Sequence, residues 1–277
     1  MAKLGVTAVP PVEFVALRFV VASAVLLAMA GITRTALRGP LGMVVAVACT
    51  GFFGYHAAVF VGLTLAPASD AALIVPTTVP IFTAVGATFV GERFDTRRRA
   101  GLAAASLGAA IVVVSAQQGM DFDTRRLAGD LLLLAGALCW AAYTTIASVG
   151  LRSISPLAIV ALATPIGGLM LLPLGLLERG YADVPTWSGG VWLALLYLAV
   201  FVSVGGFILH LWIVGRVGPG LASLGSYLVP IATLLLAALI LGERPHPLQL
   251  VGGAIILAGV RIVTASRDIA SEAVIAT

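Results

Sequence analysis

Nine long stretches without a charged residue follow one another along this chain. They cover residues 19–33, 39–69, 71–91, 100–120, 131–151, 153–177, 184–215, 217–242 and 245–260. About 20 apolar residues cross the hydrocarbon core of a bilayer as a helix, and the two shorter stretches extend past Arg18 and Arg261, whose long side chains can reach the interface. Because lipid cannot satisfy an open strand edge, the pattern predicts an all-α membrane protein, a polytopic bundle of about nine transmembrane helices.

The composition excludes a soluble fold and several functional classes. Of the 277 residues, 60% are hydrophobic and only 10% are charged, whereas a soluble domain carries about 25% charged residues. The net charge is +4, but no basic run is dense enough for a nucleic-acid surface, so we expect no nucleic-acid partner. The three arginines at 97–99 indicate an anchor beside anionic lipid headgroups. Cys49 and Cys139 both lie in apolar stretches, which argues against a disulfide framework.

The distribution of arginine and lysine predicts the orientation in the cell (plasma or inner) membrane. If the loop at 32–40 is cytosolic, ten of the 16 basic residues lie on the cytosolic side, five lie outside, and Arg18 falls within a span. Cytosolic loops carry the excess of positive residues. The loop at 91–99 is therefore expected in the cytosol and the loop at 118–127 outside.

The chain contains an internal repeat. Gly91-Glu92-Arg93, Gly101 and Gly108 recur 151 residues later as Gly242-Glu243-Arg244, Gly252 and Gly259, and Val79-Pro80-Ile81 recurs 150 residues later as Val229-Pro230-Ile231. An odd number of spans in each copy turns the second copy upside down, and inverted repeats of this kind are typical of transporters. We therefore expect two repeats, at 1–117 and 118–277.

The first repeat is expected to lack most of its first helix. Gly5 and Pro11 match Gly150 and Pro156 at an offset of 145. By that offset, the counterpart of the helix predicted at 127–149 falls almost wholly before Met1, with residues 1–5 as its last turn. Either the reading frame starts further upstream or this chain is a shortened version of the repeat.

The order of these motifs resembles a known family. Leu17-Arg18-Phe19 in the first span, followed twice by a mid-span proline and then Gly-Glu-Arg at the helix end, is similar to the EamA-type proteins of the drug/metabolite transporter superfamily. The resemblance implies ten spans in two inverted five-span halves. It also implies export or exchange of small metabolites without nucleotide hydrolysis. The nine stretches counted in this chain depart from that number.

No motor or catalytic centre can be found in the sequence. A P-loop needs a lysine after its glycines, and Lys3 is the only lysine. No Ser/His/Asp arrangement or metal-ligand cluster is present either, so we expect no enzyme activity, no metal and no cofactor. The leading hypothesis is a secondary transporter that moves small metabolites by alternating access. A passive channel and a non-transporting intramembrane protein remain the alternatives. The expected partners are a small-molecule substrate and membrane lipid, and a homodimer is left open.

Two spans carry matching polar stripes. Thr77 and Pro80 in one span correspond to Tyr227 and Pro230 in the other at an offset of 150, and Ser226 lies beside the second pair. A proline cannot donate to the carbonyl four residues before it, so each stripe exposes a backbone acceptor near mid-span. The stripes predict a pair of kinked helices that line a substrate cavity. The alternative is that the prolines only bend the helices for packing.

The remaining candidate residues are ionisable or aromatic side chains within spans. Arg18 could reach the interface, pair with Glu13 or meet an anionic substrate. His56 and His210 are either structural or coupled to protons, since an ordinary histidine pKa is about 6.5. Trp140 and Tyr143 are either core residues or a platform for substrate. The complete set of predicted substrate-binding residues is Arg18, His56, Thr77, Pro80, Trp140, Tyr143, His210, Ser226, Tyr227 and Pro230.

Overall fold

The computed structural model describes residues 9–92, 95–114, 124–232, 235 and 247–275. Within them it contains nine apolar helices: α1 Pro11–Ile32, α2 Leu41–Leu65, α3 Ala68–Phe89, α4 Thr96–Val114, α5 Thr124–Gly150, α6 Pro156–Glu178, α7 Gly189–Val217, α8 Pro219–Ala232 and α9 Pro247–Ile275. Each overlaps one predicted span. Seven of the described helices are long and apolar enough to cross a bilayer; α4 and α8 are the other two. The all-α fold is thus confirmed.

Some motifs singled out in the sequence lie outside the described residues. These are Arg93, the second Gly-Glu-Arg run at 242–244, residues 118–123 of the expected external loop, and Gly5.

Local signals in the sequence explain where several helices begin. Pro11 and Pro156 occupy the first position of α1 and α6, where the missing N–H costs nothing and the fixed φ suits a helix. The side chain of Ser155 accepts a hydrogen bond from the N–H of Ala158, and Ser188 caps α7 in the same way. These caps satisfy N–H groups that a helix start would otherwise leave unpaired.

The helices form two compact units that cut across the two halves of the chain. Unit 1 consists of residues 1–61 and 142–216, and unit 2 of residues 62–141 and 217–277. Unit 1 therefore contains α1, most of α2, the end of α5, α6 and nearly all of α7. Unit 2 contains α3, α4, the larger part of α5, α8 and α9. Each unit draws helices from both predicted repeats.

Unit 1 is built on α1 packed against α6 and on two π-helical segments. A Cβ added at Gly168 of α6 would lie 3.1 Å from the Cβ of Phe19, so the glycine permits the close approach of α1. The π-helical segments are Ala48–Gly54 inside α2 and Leu198–Gly206 inside α7. Their starts are 150 residues apart, the offset found in the sequence. Such widened turns are rare and often mark functional sites.

Unit 2 is built on α4 packed against α9 through glycines. A Cβ at Gly101 would meet the carbonyl oxygen of Gly259, and one at Gly108 would meet the carbonyl oxygen of Gly252. Because Gly101 corresponds to Gly252 and Gly108 to Gly259 in the repeat, each glycine contacts the counterpart of the other. This crosswise exchange is what two equivalent helices related by a two-fold axis produce. It supports the inverted repeat.

Candidate functional site

Arg18 is a buried cation within α1 of unit 1. It lies in the second turn of the helix, and only 7% of its surface is exposed. Its Nε is buried without a hydrogen-bond partner, and no ion pair of Arg18 is found within the described residues. The guanidinium carbon lies 4.9 Å from the centroid of the Phe19 ring. Of the three roles left open by the sequence, pairing with Glu13 is not found in the structure.

Tyr55 and His56 lie within electrostatic range of Arg18, where the π-helical segment of α2 ends. The Nδ1 of His56 is 3.1 Å from the carbonyl oxygen of Gly51. A carbonyl oxygen can only accept, so Nδ1 carries the proton and Nε2 of the neutral ring is an acceptor. The π-helical backbone thus holds the imidazole in one orientation. This contact favours the structural alternative for His56 without excluding a substrate contact through Nε2.

An aromatic cluster fills the interior of unit 1 beside Arg18 and His56. The Phe19 ring meets the His56 ring edge-on at 4.7 Å, and the Phe52 ring stacks on that of Phe207 at 4.7 Å. Tyr143, from the end of α5, contacts Phe207 at 5.9 Å and is fully buried. Edge-on and stacked ring pairs stabilise such a core beyond their buried area. These contacts favour the core alternative for Tyr143, and its role as a platform for substrate stays a prediction.

His210 in α7 extends this cluster. Its ring lies 5.9 Å from that of Tyr143, and its Nε2 is 3.1 Å from the hydroxyl of Thr144. Unit 1 therefore brings together four predicted site residues: Arg18, His56, Tyr143 and His210.

The other six predicted site residues belong to unit 2, where several make packing contacts. The hydroxyl of Thr77 donates to the carbonyl of Ile74 at 3.1 Å, within its own helix. The hydroxyl of Tyr227 is 2.6 Å from that of Ser106, which joins α8 to α4. Pro80 and Pro230 are buried, and Ser226 and Trp140 are half-buried. The backbone at 224–227 tightens to a 3-10 turn before Pro230. These contacts favour the packing alternative for the two polar stripes.

Sequence reasoning missed a reciprocal carboxylate contact in unit 1. Glu178 at the end of α6 accepts from the backbone N–H groups of Val12 and Glu13 at 3.0 and 3.1 Å. Glu13 accepts from the N–H groups of Arg179 and Tyr181 at 2.9 and 3.2 Å. Each carboxylate thus caps the backbone of the other helix end. Nothing in the spacing of Glu13 and Glu178, 165 residues apart, could have predicted the pair.

Tyr181 completes this end of unit 1. Burial raises the pKa of the Tyr181 phenol, and the nearby carboxylates of Glu13 and Glu178 raise it further. The phenol therefore stays protonated and donates to the carbonyl of Leu172 at 2.9 Å. An open apolar cavity of about 390 Å³ lies here, lined by Leu17, Leu172, Tyr181, Val184 and Pro185. None of the predicted site residues lines it.

A second missed contact lies in unit 2. Arg126 of α5 binds Asp70 of α3 through both carboxylate oxygens, at 2.6 and 2.8 Å. Asp130, one turn further along α5, lies beside the Asp70 side chain. A bidentate arginine–carboxylate pair of this kind is strong and specific in geometry. The ion pair joins the start of α3 to the start of α5. The sequence shows that both helices begin with polar residues, but it does not show that these residues pair.

The fold and these contacts define a polytopic helical membrane protein assembled from interleaved, repeated helices with a buried cation in one unit. The model of the EamA-like transporter family matches residues 1–114 and 127–265, so the chain belongs to that family. The resemblance noted in the sequence is confirmed. The protein is a multi-pass transporter of the cell membrane and not an enzyme.

Individual relatives and a solved structure are similar over nearly the whole chain. An uncharacterized transporter of Archaeoglobus fulgidus is 27% identical over 96% of this chain and 91% of its own length. A protein named as a probable terminal-alkyne amino-acid exporter of Streptantibioticus cattleyicolor is 31% identical over 86% of this chain and 81% of its own length. A crystal structure with 26% identity superposes with a TM-score of 0.80, covering 95% of this chain and 90% of the other.

Proposed function

We propose that this protein is a secondary transporter that exports small metabolites by alternating access. The observation that carries the proposal is the crosswise contact of Gly101 with Gly259 and of Gly108 with Gly252. Helices related in this way belong to inverted repeats, and transporters with inverted repeats expose one site alternately to the two sides of the membrane. The name of the relative from Streptantibioticus cattleyicolor supports export, and amino acids are the first compounds to test.

The energy for transport comes from a gradient. The only lysine of the chain is Lys3, so the phosphate-binding lysine of a P-loop is missing. Proton coupling through His56 and His210 remains a prediction. The contact of His56 with the carbonyl of Gly51 would survive protonation, because Nδ1 donates there and the added proton would go to Nε2. The hydroxyl of Thr144 can accept from a protonated His210. Uptake driven by an imposed pH gradient, compared between wild type and the His56→Gln/His210→Gln double variant, tests it.

The predicted substrate-binding residues differ in how well the structure supports a contact with substrate. Arg18 and His56 lead, because Arg18 has no ion pair among the described residues and His56 keeps an acceptor nitrogen. Tyr143 and His210 support the aromatic cluster on which those two rest. Thr77, Pro80, Trp140, Ser226, Tyr227 and Pro230 stay predicted lining residues of unit 2.

Counterflow in proteoliposomes tests the function. Vesicles loaded with an unlabelled amino-acid mixture should accumulate labelled amino acids from outside, whereas protein-free vesicles should not. Transient accumulation of label without any imposed ion gradient identifies a carrier, because a channel dissipates label instead of exchanging it for the unlabelled substrate inside. Single-channel currents in a planar bilayer, or no movement of any compound in a broad metabolite panel, would contradict the proposal.

Topology gives a separate test. The experiment starts from a variant that lacks Cys49 and Cys139. A single cysteine is placed either in the loop at 91–99 or in the loop at 118–127, and intact cells are treated with an impermeant thiol reagent. The loop at 118–127 should react and the loop at 91–99 should not. The reverse pattern would contradict the predicted orientation.

A further inference from the structure

Among the described residues, unit 1 holds one buried arginine, and the acidic residues of the unit leave its charge uncompensated. Unit 1 contains three acidic residues, Glu13, Glu178 and Asp183. Glu13 and Glu178 accept backbone hydrogen bonds from the opposite helix ends. Asp183 pairs with Arg179 at 2.9 Å. Arg18 is thus buried in a unit whose three carboxylates are engaged elsewhere.

Such an arrangement is unfavourable unless a ligand relieves it. A buried guanidinium that lacks a counter-charge keeps its desolvation cost, because no nearby anion offsets it. If Arg18 served only to pack the helices, an apolar residue of similar size could take its place without loss of stability. Ionisable groups within spans are expensive and mark substrate or ion pathways.

We propose that Arg18 is the anion-recognition residue of this transporter and binds the carboxylate of its substrate. The inference rests on the proposed transport function and names the substrate class. The planar guanidinium matches a carboxylate through two parallel N–H···O bonds. Its neighbours Tyr55 and His56 add further hydrogen-bonding groups. A phosphate would carry up to two negative charges into a site with a single cation, so the charge balance favours a carboxylate.

The π-helical segment of α2 helps to build this subsite. It leaves the carbonyl of Gly51 available for His56, and a Cβ at Gly51 would collide with the Tyr143 ring. The aromatic cluster beneath it is closely packed, so Arg18 and His56 stand on a rigid support. Preorganised groups of this kind bind a ligand without the cost of ordering side chains.

Transport of acid and amide pairs tests the proposal. Labelled L-leucine, L-phenylalanine and L-methionine are compared with their carboxamides, which keep size and amino group but lack the negative charge. Wild type should exchange at least one acid about 10- to 100-fold faster than its amide, the range for a hydrogen bond to a charged group. Equal transport of acid and amide by wild type would overturn the proposal and leave the transporter function intact.

Variants of Arg18 separate recognition from structure. Arg18→Gln should lose transport of the acid by about 10- to 100-fold and leave transport of the amide unchanged, with Arg18→Lys in between. Arg216→Gln is the matched control, because Arg216 belongs to the same unit but is exposed and lies over the Trp212 ring. An equal loss for acid and amide in Arg18→Gln would overturn the proposal.

Thermal stability in detergent gives a readout that does not depend on transport. If the charge of Arg18 is compensated only when a ligand binds, Arg18→Gln should melt at the wild-type temperature or above it. Only the wild-type protein should then gain stability from the acids. A melting temperature well below that of Arg216→Gln would instead assign Arg18 to the structure. Acid-specific stabilisation of wild type without any transport would uphold the subsite and reject the transporter function. Stabilisation by neither acid nor amide would overturn the subsite.

Discussion

Different kinds of residue dominate the helix contacts of the two units. Unit 2 brings α4 and α9 together at glycines, so that backbone touches backbone. Unit 1 fills its interior with aromatic rings and places Arg18 and His56 at their side. Small residues are the usual means of helix association in membranes, since burial gives no hydrophobic gain there. The buried polar groups of unit 1 therefore call for an explanation beyond packing, which the proposed anion subsite would supply.

The largest expected effect concerns the glycine contacts of unit 2. Gly101→Val should destabilise the protein by about 3 kcal/mol or more, because its side chain would press on the backbone of Gly259, which cannot move aside as a side chain can. Gly253→Val in α9 is the control, since nothing lies within 4 Å of a Cβ there. The measurement is unfolding in mixed micelles with a denaturing detergent. Equal stability of the two variants would break the distinction between the units.

The next effect concerns the ion pair of unit 2. Arg126→Ala should cost about 2 to 4 kcal/mol, because Asp70 is buried and would lose its counter-charge. Adding Asp70→Asn should recover part of the loss, because the buried charge is then removed as well. A double variant less stable than Arg126→Ala would show that Asp70 has a role other than pairing.

The carboxylate contact of unit 1 should matter less. Glu13→Ala should cost about 1 to 3 kcal/mol, since the N–H groups of Arg179 and Tyr181 lose their acceptor. Asp183→Ala removes an exposed ion pair with Arg179 and should cost at most about 1 kcal/mol. Both are read from the same unfolding experiment. A larger loss of stability from Asp183→Ala than from Glu13→Ala would mean that the contact between the ends of α1 and α6 does not stabilise unit 1 as inferred.

The smallest effect concerns one hydroxyl in unit 2. Tyr227→Phe should cost about 0.5 to 1 kcal/mol through loss of the contact with Ser106. Tyr197→Phe, at an exposed tyrosine of unit 1, should change stability little. Transport should survive both. If Tyr227→Phe abolished counterflow while the protein remained folded, Tyr227 would be a substrate contact, as the polar stripe in the sequence predicts.

The sequence alone determined the elements and the class of this protein. Nine apolar stretches bounded by charged residues define the nine helices. In lipid the backbone N–H and C=O groups of each stretch must hydrogen-bond to one another, and a helix achieves this within a single stretch. The recurrence of Gly101 and Gly108 as Gly252 and Gly259 indicates the repeat, since close helix contacts require small residues at fixed spacing. The motif order led to the transporter family that the family model confirms.

Only the tertiary structure decided which candidate residues lie close together. Arg18 and His56 lie together because α1 and the π-helical part of α2 belong to one unit, and the widening of that helix has no mark in its residue spacing. Thr77 and Tyr227 look like lining residues on a helical wheel, yet their hydroxyls bond within unit 2. A helical face is a property of local sequence, whereas the partner of a side chain depends on which distant helix packs there. For the same reason the contact of Glu13 with the end of α6 could not be predicted from the sequence. That contact engages the acidic residue that is nearest to Arg18 in the sequence.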